Sequence, residues 1–413
     1  MKRRVVITGM GVVSPIGTGV NTFWENVKQG KCGIGLIENF DTTDYTVKLA
    51  AEIKDFDAKD YMDKKEAKRQ DRYCQFAVAA SELAVKDSGL DVDKINNQRF
   101  GVIIGSAVGG IQTIETELEK LRSKGPDKVS TFFIPMMLPN IASGIVAIKQ
   151  KAKGVNFSTV TACASGANAI GESLRKIQDG TCDIMLAGGA EAAITPGSIA
   201  GFAALTALSV STDIKRASIP FDKEREGFVM GEGAGILVLE EYEHAINRGA
   251  KIYAEVAGYG TTCDAYHITS PDPEAEGSSK SMLNAIEDAG ITPEQIGYIN
   301  AHGTSTLYND KLETLAIKKD FKENAVNIPV SSTKSMTAHM LGAAGAVEAI
   351  ICAKSLQDSF IPATINYSVP DSECDLDYVP NIGRYKEYEY AISTSLGFGG
   401  HNASLIIKKY NSN

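Results

Sequence analysis

Three side chains far apart in the sequence carry groups suited to covalent and proton-transfer chemistry: the thiol of Cys163 and the imidazoles of His302 and His339. Cys163 lies where an apolar, strand-like run gives way to the small residues of a predicted helix. A thiol at a helix N-terminus faces the positive end of the helix dipole and unpaired backbone N–H groups, which favour the thiolate. We therefore expect a candidate nucleophile, although a free cysteine is commonly just a small buried hydrophobe.

The two histidines occupy a similar sequence setting. His302 follows an apolar strand and opens a Gly-Thr loop, and His339 precedes a helix of small residues. Histidine supplies an N–H donor and a nitrogen that titrates near neutral pH, as acyl-transfer or enolate chemistry requires. Taken alone, both are equally well explained as hydrogen-bonded structural residues. His244, His267 and His401 lie on a polar helix or in loops, and no metal-ligand spacing connects any of the five.

An internal repeat gives a reason for these residues to meet. Residues 84–95 and 285–296 are similar at a constant offset of 201 positions. Each copy predicts a helix that ends at a glycine, Gly89 or Gly290, followed by an acidic turn, an apolar strand and a Gly-containing loop. If two related halves share one fold, equivalent strand ends converge on one crevice, which would bring the thiol and both imidazoles together.

The two halves are predicted to span residues 1–250 and 251–413. The first half carries an insertion near residues 111–146 whose aromatic, Met and Pro residues indicate a packed cap or a subunit interface, with plain core packing an equal alternative. Near-continuous apolar runs at 182–188 and 234–239 alternate with helical segments, which predicts α/β layers with buried sheets.

Composition excludes several classes of protein. A chain of 413 residues with 43% hydrophobic content can bury a large core, and its net charge of -9 argues against nucleic acid as the main partner. Seven cysteines without C-x-x-C spacing indicate neither a zinc site nor disulfides, hence a reducing compartment. Residues 9–14 lack the third glycine of a dinucleotide-binding loop, which argues against nucleotide binding there. We expect a cytoplasmic protein without a membrane span.

One short segment departs from the acidic balance. Lys64, Lys65, Lys68 and Arg69 share one side of a predicted helix through i,i+4 spacing. Such a cluster is either an ordinary solvated helix face or a docking site for an acidic partner.

Four blocks of the sequence resemble the signature blocks of the β-ketoacyl-acyl-carrier-protein synthases, and most closely those of the elongating type II enzymes of dissociated fatty-acid synthesis. The blocks are Thr-Ala-Cys-Ala-Ser-Gly at 161–166, Asn-Ala-His-Gly-Thr-Ser-Thr at 300–306, Lys-Ser-Met-Thr-Ala-His at 334–339 and Gly-Phe-Gly-Gly-His-Asn at 397–402. The resemblance covers essentially the whole chain. It implies the thiolase fold, with duplicated halves in a five-layered αβαβα core, and a homodimer.

The resemblance also implies roles for individual residues. Cys163 would accept the growing acyl chain from the carrier protein. His302 and His339 would hold the malonyl thioester, drive its decarboxylation and stabilise the enolate that attacks the acyl-cysteine. Phe398, in a glycine-flanked loop, would act as a gate, and its N–H would form an oxyanion hole with that of Cys163.

Further residues would support this reaction. An ion pair of Lys334 with Glu313 would orient the histidines, with Asp310 as a further supporting residue. Thr304 and Thr306 would hydrogen-bond the phosphopantetheine arm of the carrier protein.

The remaining implied sites concern the substrate, the carrier protein and an ion. The acyl pocket would be lined by Val108, Phe133 and Phe202. A structural monovalent cation would be held by Asn300, Glu348 and Ser393. The cluster Lys64, Lys65, Lys68 and Arg69 would dock the acidic carrier protein. No catalytic metal and no cofactor beyond the carrier's phosphopantetheine arm are expected.

Related classes differ from this chain at identifiable positions. A thiolase would use a second cysteine late in the chain, but Cys374 lies in an acidic loop without glycines. An initiating type III synthase would carry Asn in place of His339, and a non-catalytic chain-length partner would lack Cys163. A polyketide-chain synthase would use the same three groups, so that alternative stays open.

The sequence also departs from the family's usual pattern near the site. Ala338 stands where the family usually has Gly, Met340 and Leu396 replace commoner residues, and residues 307–309 lack the usual proline. These positions flank the reacting groups, so they leave the acyl chain length and the behaviour of the gate open.

Overall fold

The computed structural model describes residues 2–411. Its strands are β1 Val5–Ser14, β2 Gly17–Thr18, β3 Gly35–Leu36, β4 Leu49–Ala50, β5 Phe100–Gly105, β6 Asn156–Phe157, β7 Ile184–Glu191, β8 Gly233–Glu241, β9 Ala254–Cys263, β10 Ile296–Asn300, β11 Val330–Ser331, β12 Phe360–Ile361, β13 Arg384–Tyr385, β14 Tyr390–Gly397 and β15 His401–Lys409.

Its helices are α1 Val20–Lys28, α2 Lys64–Ala67, α3 Arg72–Ser88, α4 Ile111–Lys124, α5 Phe133–Met137, α6 Ile141–Lys149, α7 Ser165–Gln178, α8 Pro196–Ala204, α9 Ile214–Ala217, α10 Tyr242–Asn247, α11 Glu276–Asp288, α12 Leu307–Phe321, α13 Lys334–Thr337 and α14 Ala344–Asp358. Short 3-10 turns at Ala162–Ala164 and Leu341–Ala343 lead into α7 and α14. Among residues 2–411 no helix combines the length and the apolar character that crossing a membrane requires.

The strand order repeats. The first half pairs in the order β6-β5-β7-β8-β1 and the second in the order β11-β10-β14-β15-β9. In each, the outer strands are parallel and the inner ones antiparallel. The two sets join where β1 runs antiparallel to β9 over two residue pairs. This symmetry explains the repeat in the sequence, since each copy contributes the helix and strand of one half.

Helices separate the two sets of strands. α7 and α14 pack against each other and contact strands of both halves, while α3 covers β1 and β8 and α11 covers β9 and β15. The layers therefore run α3, first sheet, α7 with α14, second sheet, α11. This is the predicted five-layered αβαβα core. The strands that face helices on both sides, such as β7 and β8, are buried at every position.

Local sequence signals account for several element ends. α3 begins where the Asp71 carboxylate accepts the Tyr73 N–H, and it ends at Gly89, whose φ of 62° suits a left-handed cap. Gly9 and Gly11 lie inside buried β1, where a Cβ would meet α3 backbone oxygens at 2.3 and 1.9 Å. They permit close packing of a strand on a helix and form no phosphate loop.

One predicted element was wrong. The apolar run before Cys163 was predicted to form a buried strand, but β6 ends at Phe157, both of its residues are exposed, and residues 158–161 are irregular. Val160 is 53% exposed. Apolar residues at a sheet edge resemble a core strand in sequence, because a short apolar run does not show whether the segment enters the core or stays exposed.

Candidate active site

Cys163 lies in the 3-10 turn that precedes α7, one residue after Ala162, whose φ is +49°. A side chain in the left-handed region is held there only by surrounding contacts. The Ser165 hydroxyl supplies such contacts by donating to the Ala162 carbonyl at 2.6 Å and accepting from the Thr161 N–H at 2.9 Å. The turn thus presents the thiol to the cavity that Cys163 lines.

The electrostatic effect on this thiol is opposite to the prediction. Burial among apolar side chains raises the pKa of Cys163 to about 12, an effect that the charge of Lys334 opposes and that of Glu191 reinforces. The predicted lowering by the helix dipole was wrong, because loss of water around the sulphur outweighs a partial charge at a helix end. The resting group is therefore a thiol.

His302 follows β10 and is held through its backbone. The N–H groups of His302 and Gly303 each donate to the Glu313 carboxylate at 2.7 Å. The Thr394 hydroxyl donates to the same carboxylate at 2.6 Å. On the other side, the Ser332 hydroxyl donates to the Gly303 carbonyl at 2.6 Å. These bonds fix the loop that presents the imidazole.

His339 is anchored by an isolated bridge to the segment before β8. Its N–H donates to the Val229 carbonyl at 2.8 Å, and its carbonyl accepts from the Gly231 N–H at 2.9 Å. The preceding Ala338 has a φ of 56°, a backbone conformation that favours glycine. The Phe228 ring stands edge-on to the imidazole at 5.2 Å between centroids. His339 is therefore as firmly placed as His302.

The two imidazoles face each other edge to face, with centroids 5.2 Å apart. Both rings are buried. Burial, and then the charge of Lys334, lowers the pKa of each well below the usual range, and for His302 the other histidine adds to this. Both rings are consequently neutral at physiological pH, so each offers one N–H as a hydrogen-bond donor.

The ion pair beside the histidines differs from the predicted one. The Lys334 ammonium pairs with Glu348 of α14 at 2.5 Å, and both side chains are almost fully buried. Glu313 instead accepts the two backbone N–H groups and the threonine hydroxyl described above. The prediction of a Lys334 pair with Glu313 is therefore corrected. Sequence spacing could not separate the two acids, because it does not show which of the two helices, α12 or α14, packs beside Lys334.

A cavity of about 400 Å³ brings together eight of the twelve residues predicted to be catalytic, substrate-binding or supporting. Its lining includes Cys163, Phe202, His302, Thr304, Thr306, Glu313, His339 and Phe398. Val108 does not line it, but packs with Cys163 and Phe202 on one apolar cluster. Phe133 begins α5 in the insertion and lies outside the cavity of the single chain, as do Lys334 and Asp310.

The mouth of the cavity carries hydroxyls and an aromatic ring. The hydroxyls of Thr304 and Thr306 lie 2.9 Å apart. The Phe398 ring is 6.3 Å from that of Phe202, and it precedes Gly399 and Gly400, whose φ values are 85° and 74°. A ring followed by two left-handed glycines sits on a backbone that can rearrange.

Comparison with known proteins identifies the constellation. Residues 2–245 match the family profile described as beta-ketoacyl synthase, N-terminal domain, and residues 253–368 match that of the beta-ketoacyl synthase C-terminal domain. The chain belongs to the β-ketoacyl synthase family. The family, the thiolase-like fold and the ketoacyl synthase activity predicted from the sequence are thereby confirmed.

Individual relatives are similar over their full length. The 3-oxoacyl-(acyl-carrier-protein) synthase 2 of Staphylococcus aureus strain COL is 54% identical over 408 residues, 99% of each chain. The protein of the same name from Synechocystis sp. is 51% identical over 410 residues, again 99% of each.

Solved structures agree with this family. A structure of a type II polyketide synthase acyl-carrier protein in complex with its hexaketide-bound ketosynthase has a TM-score of 0.93 at 38% identity and matches 100% of both chains. A beta-ketoacyl synthase from Burkholderia phymatum has a TM-score of 0.92 at 36% identity, also over 100% of both.

Two buried charged residues near the site of this synthase, Arg225 and Glu191, were not predicted from the sequence. Arg225 donates to the Thr306 and Leu307 carbonyls at 3.2 and 3.1 Å and so holds the loop that carries the threonine pair. It also contacts the supporting residue Asp310. Glu191 ends β7 with no exposed surface. An acid closing an apolar run was a usable signal for Glu191, whereas Arg225 lies in a mixed polar segment that gave none.

Proposed function

We propose that this chain elongates acyl chains in fatty-acid synthesis. It condenses an acyl group carried on Cys163 with malonyl-acyl carrier protein, giving the 3-oxoacyl carrier protein, CO₂ and free carrier protein. The observation that carries the proposal is that one thiol and two neutral imidazoles, from opposite halves of the fold, line a single cavity. A thiol can accept an acyl group, and paired N–H donors can hold an enolate oxygen.

The first step is transfer of the acyl chain. The Cys163 sulphur bonds to the acyl carbonyl carbon, the thioester bond to the carrier's phosphopantetheine breaks, and the thiol proton leaves with the carrier thiol. The N–H groups of Cys163 and Phe398 stabilise the tetrahedral oxyanion. Because the pKa of Cys163 is about 12, the proton must depart as the sulphur attacks, and the nearby charge of Lys334 assists this by favouring the thiolate.

The second step is condensation. The bond between the malonyl carboxylate and Cα breaks, CO₂ leaves, and its electron pair forms an enolate whose oxygen accepts N–H bonds from His302 and His339. Each donor contributes about 3 kcal/mol to stabilising the developing charge. The enolate carbon then bonds to the acyl carbonyl, the bond to the Cys163 sulphur breaks, and the sulphur takes up a proton. Neutral imidazoles suit this role, since they donate without supplying a proton that would quench the carbanion.

Residues around these groups orient the substrate. Thr304 and Thr306 hydrogen-bond the phosphopantetheine arm as it enters, Phe398 opens and closes the acyl pocket, and Phe202 with Val108 lines that pocket. Glu313 and Asp310 act at a distance by fixing the backbone of residues 302–306.

The carrier protein docks on the basic cluster Lys64, Lys65, Lys68 and Arg69. A capping box with Asp63 starts the short helix α2 that carries the first two lysines. Within residues 2–411 no carboxylate forms an ion pair with any of the four. The Arg69 guanidinium lies 4.6 Å from the Phe132 ring centroid, which places this surface beside the insertion. Free cations attract an acidic partner over several ångströms and speed its association.

The chain acts as a homodimer in the cytoplasm. β6 is an edge strand with an unpaired side, and nearby apolar side chains are exposed, among them Ile134, Ile148 and Val160 at 54, 81 and 53%. Such an edge is an aggregation hazard unless a second copy covers it. Phe133 lies in the same insertion, so a second copy can bring it to an acyl pocket. The seven unpaired cysteines support a reducing compartment.

A structural monovalent cation fits beside the ion pair. The Asn300 Oδ1, Ser393 Oγ and Glu348 Oε2 atoms are buried and lack hydrogen-bond partners in the part of the chain that is described. Asn300 and Ser393 are register partners on β10 and β14, and Glu348 lies on α14, which packs on β14. Oxygen donors of this kind suit a hard cation. These three residues would hold it and it would stiffen the strand ends, taking no part in the chemistry.

Sequence identity favours fatty-acid elongation over polyketide synthesis. The relatives named 3-oxoacyl-(acyl-carrier-protein) synthase 2 are 51 and 54% identical, whereas the ketosynthase of the type II polyketide complex is 38% identical. Both reactions use the same three groups, so the distinction concerns the acyl substrate.

The test is direct. Purified protein is incubated with acyl- and malonyl-carrier protein, and the 3-oxo product two carbons longer is measured by mass spectrometry. Cys163→Ser abolishes condensation, while His302→Ala and His339→Ala abolish decarboxylation of malonyl carrier protein. Full condensation by the serine variant, or normal decarboxylation by either alanine variant, contradicts the assignment. Fully saturated donors that give no product while 3-oxo donors do would favour polyketide synthesis.

A further inference from the structure

Glu191, the last residue of β7, is a fully buried carboxylate with no part in the steps above. Its Oε1 accepts from the Ser106 hydroxyl at 3.0 Å and the Val108 N–H at 3.3 Å. Its Oε2 accepts from the Ala107 N–H at 2.7 Å and the Gly342 N–H at 3.1 Å. One carboxylate thus joins the loop after β5 to the turn before α14.

Both joined segments border the reactive thiol. Val108 packs on the same apolar cluster as Cys163. Leu341, which precedes Gly342, belongs to that cluster and lines the cavity. Gly342 packs closely on the carboxylate, since a Cβ at position 342 would lie 2.8 Å from the Glu191 Oε2. Glu191 therefore lies behind Leu341 of the cavity wall and behind the loop of Val108, which is proposed to line the acyl pocket.

The loop after β5 and the segment that leads into α14 differ in their other hydrogen bonds. His339 keeps its bridge to Val229 and Gly231 whether or not the carboxylate is present. The backbone N–H groups of residues 107 and 108 have Glu191 as their acceptor, with no other acceptor among residues 2–411. Loss of the carboxylate would consequently release residues 107 and 108 between the flanking bonds of Ser106 to Thr159 and of Gly110 to Met137, whereas the imidazole keeps its own bridge.

Both side-chain oxygens of Glu191 must act as hydrogen-bond acceptors, because all of their partners are donors. Burial raises the pKa of Glu191 to about 7, while the hydrogen bonds from the surrounding N–H groups and the hydroxyl lower it. All four partners donate. A glutamine of the same shape would turn its NH₂ group toward two of these donors, leaving them unsatisfied in a buried site.

We propose that Glu191 is a positioning residue that fixes the Val108 wall of the acyl pocket and thereby sets which acyl chains Cys163 accepts. This rests on the proposed function, because it assumes that Cys163 carries the acyl chain. Glu191 acts on acyl transfer and not on malonyl decarboxylation, since His339 is held separately. Once the loop is free, a long chain can displace it, so longer donors gain relative to shorter ones.

The experiment compares Glu191→Gln with the unsubstituted protein in two assays. The unsubstituted protein is assayed first, and its failure to condense at all would refute the proposed function rather than this inference. In the variant, the ratio of Cys163 acylation rates for long and short acyl-carrier proteins is expected to rise about tenfold, the scale on which pocket contacts discriminate methylenes. Malonyl decarboxylation stays within about twofold, because the histidines keep their geometry.

Two further variants separate positioning from general damage. Glu240→Gln removes another fully buried carboxylate, one paired by register with Ile184 at the opposite end of β7. It is expected to lower stability and leave the chain-length ratio unchanged. Ser106→Ala removes one donor and serves if Glu191→Gln does not fold, giving a smaller rise of the same sign. An unchanged ratio in the folded variant, an equal change in Glu240→Gln, or a parallel fall in decarboxylation would overturn the proposal.

Discussion

The rings of His302 and His339 meet edge to face, with centroids 5.2 Å apart and planes at 87°. Perpendicular neutral rings at this distance can aim two N–H groups at one point without stacking. Their Nδ1 atoms are buried without partners among residues 2–411, so no side chain of this region fixes the tautomer by accepting from that nitrogen. Placement of the donors therefore depends on the backbone bonds and on the neighbouring positive charge.

The first prediction concerns pH. Because burial and Lys334 lower the pKa of both imidazoles well below the usual range, they stay neutral as the solution is acidified. Malonyl decarboxylation is expected to be flat from about pH 8 to about pH 6, where an ordinary histidine with a pKa near 6.5 would become charged. The rate is measured by CO₂ release, with carrier-protein folding checked at each pH. An acid limb centred near 6.5 would contradict the prediction.

The second prediction concerns the buried ion pair of Lys334 and Glu348. Lys334→Met leaves a buried acid without its partner, so the free energy of unfolding is expected to fall by about 3 to 5 kcal/mol. The double variant Lys334→Met with Glu348→Met removes both charges and recovers most of that loss. Urea unfolding measures both quantities.

Activity separates the two roles of this pair. The double variant is expected to regain stability but not full decarboxylation, because the ammonium charge of Lys334, which adds to burial in lowering the pKa of both imidazoles, is gone. Raised histidine pKa values, followed by NMR, give an independent readout. A double variant as unstable as Lys334→Met, or one with full activity, would show that the pair does something else.

The third prediction concerns the resting state of the nucleophile. With a pKa of about 12, the Cys163 thiolate fraction rises about tenfold per pH unit across the range in which an ordinary cysteine, with a pKa near 8.5, levels off. Alkylation of Cys163 by iodoacetamide, followed by peptide mass spectrometry, should therefore still be rising at about pH 10. Cys163→Ala reports the background from the other cysteines. A plateau near pH 8.5 would point to an activated thiolate instead.

The sequence sufficed to predict that Cys163, His302 and His339 lie close together, because their placement follows from topology. The repeat predicted that equivalent segments of the two halves converge on one crevice, and the structure brings Cys163 and both histidines to one cavity. The helix ends at Gly89 and Gly290 could also be predicted from the sequence, since a glycine that adopts the left-handed conformation is a local helix-stop signal.

The features that could not be predicted from the sequence depend on contacts between residues far apart in the chain. The partner of Lys334 is chosen by how α14 packs on β14, and the pKa of Cys163 is set by side chains that remove water from around it. The run before Cys163 was apolar without being a core strand, since β6 ends at Phe157 and Val160 is exposed. Local patterns carry neither packing partners nor solvation, so these three features had to come from the structure.

The last prediction concerns the approach of Gly397 to the nucleophile turn. A Cβ at position 397 would lie 2.8 Å from the Thr161 carbonyl oxygen and 3.1 Å from the Cys163 nitrogen. Because the first contact is closer than side chains tolerate and is made with backbone, Gly397→Ala must shift the turn that presents the thiol. A displacement of about 1 Å costs on the order of a hundredfold in rate, so Cys163 acylation is expected to fall by about 10- to 100-fold.

The matched control is Gly201→Ala on α8, where a Cβ would meet nothing within 4 Å. It should acylate at the normal rate. Both variants are compared by stopped-flow acylation and by thermal unfolding. Since the histidines lie on other segments, malonyl decarboxylation should survive in Gly397→Ala. Equal acylation by the two variants would mean that the turn relaxes without moving the sulphur, and that the close approach of Gly397 does not set the position of the nucleophile.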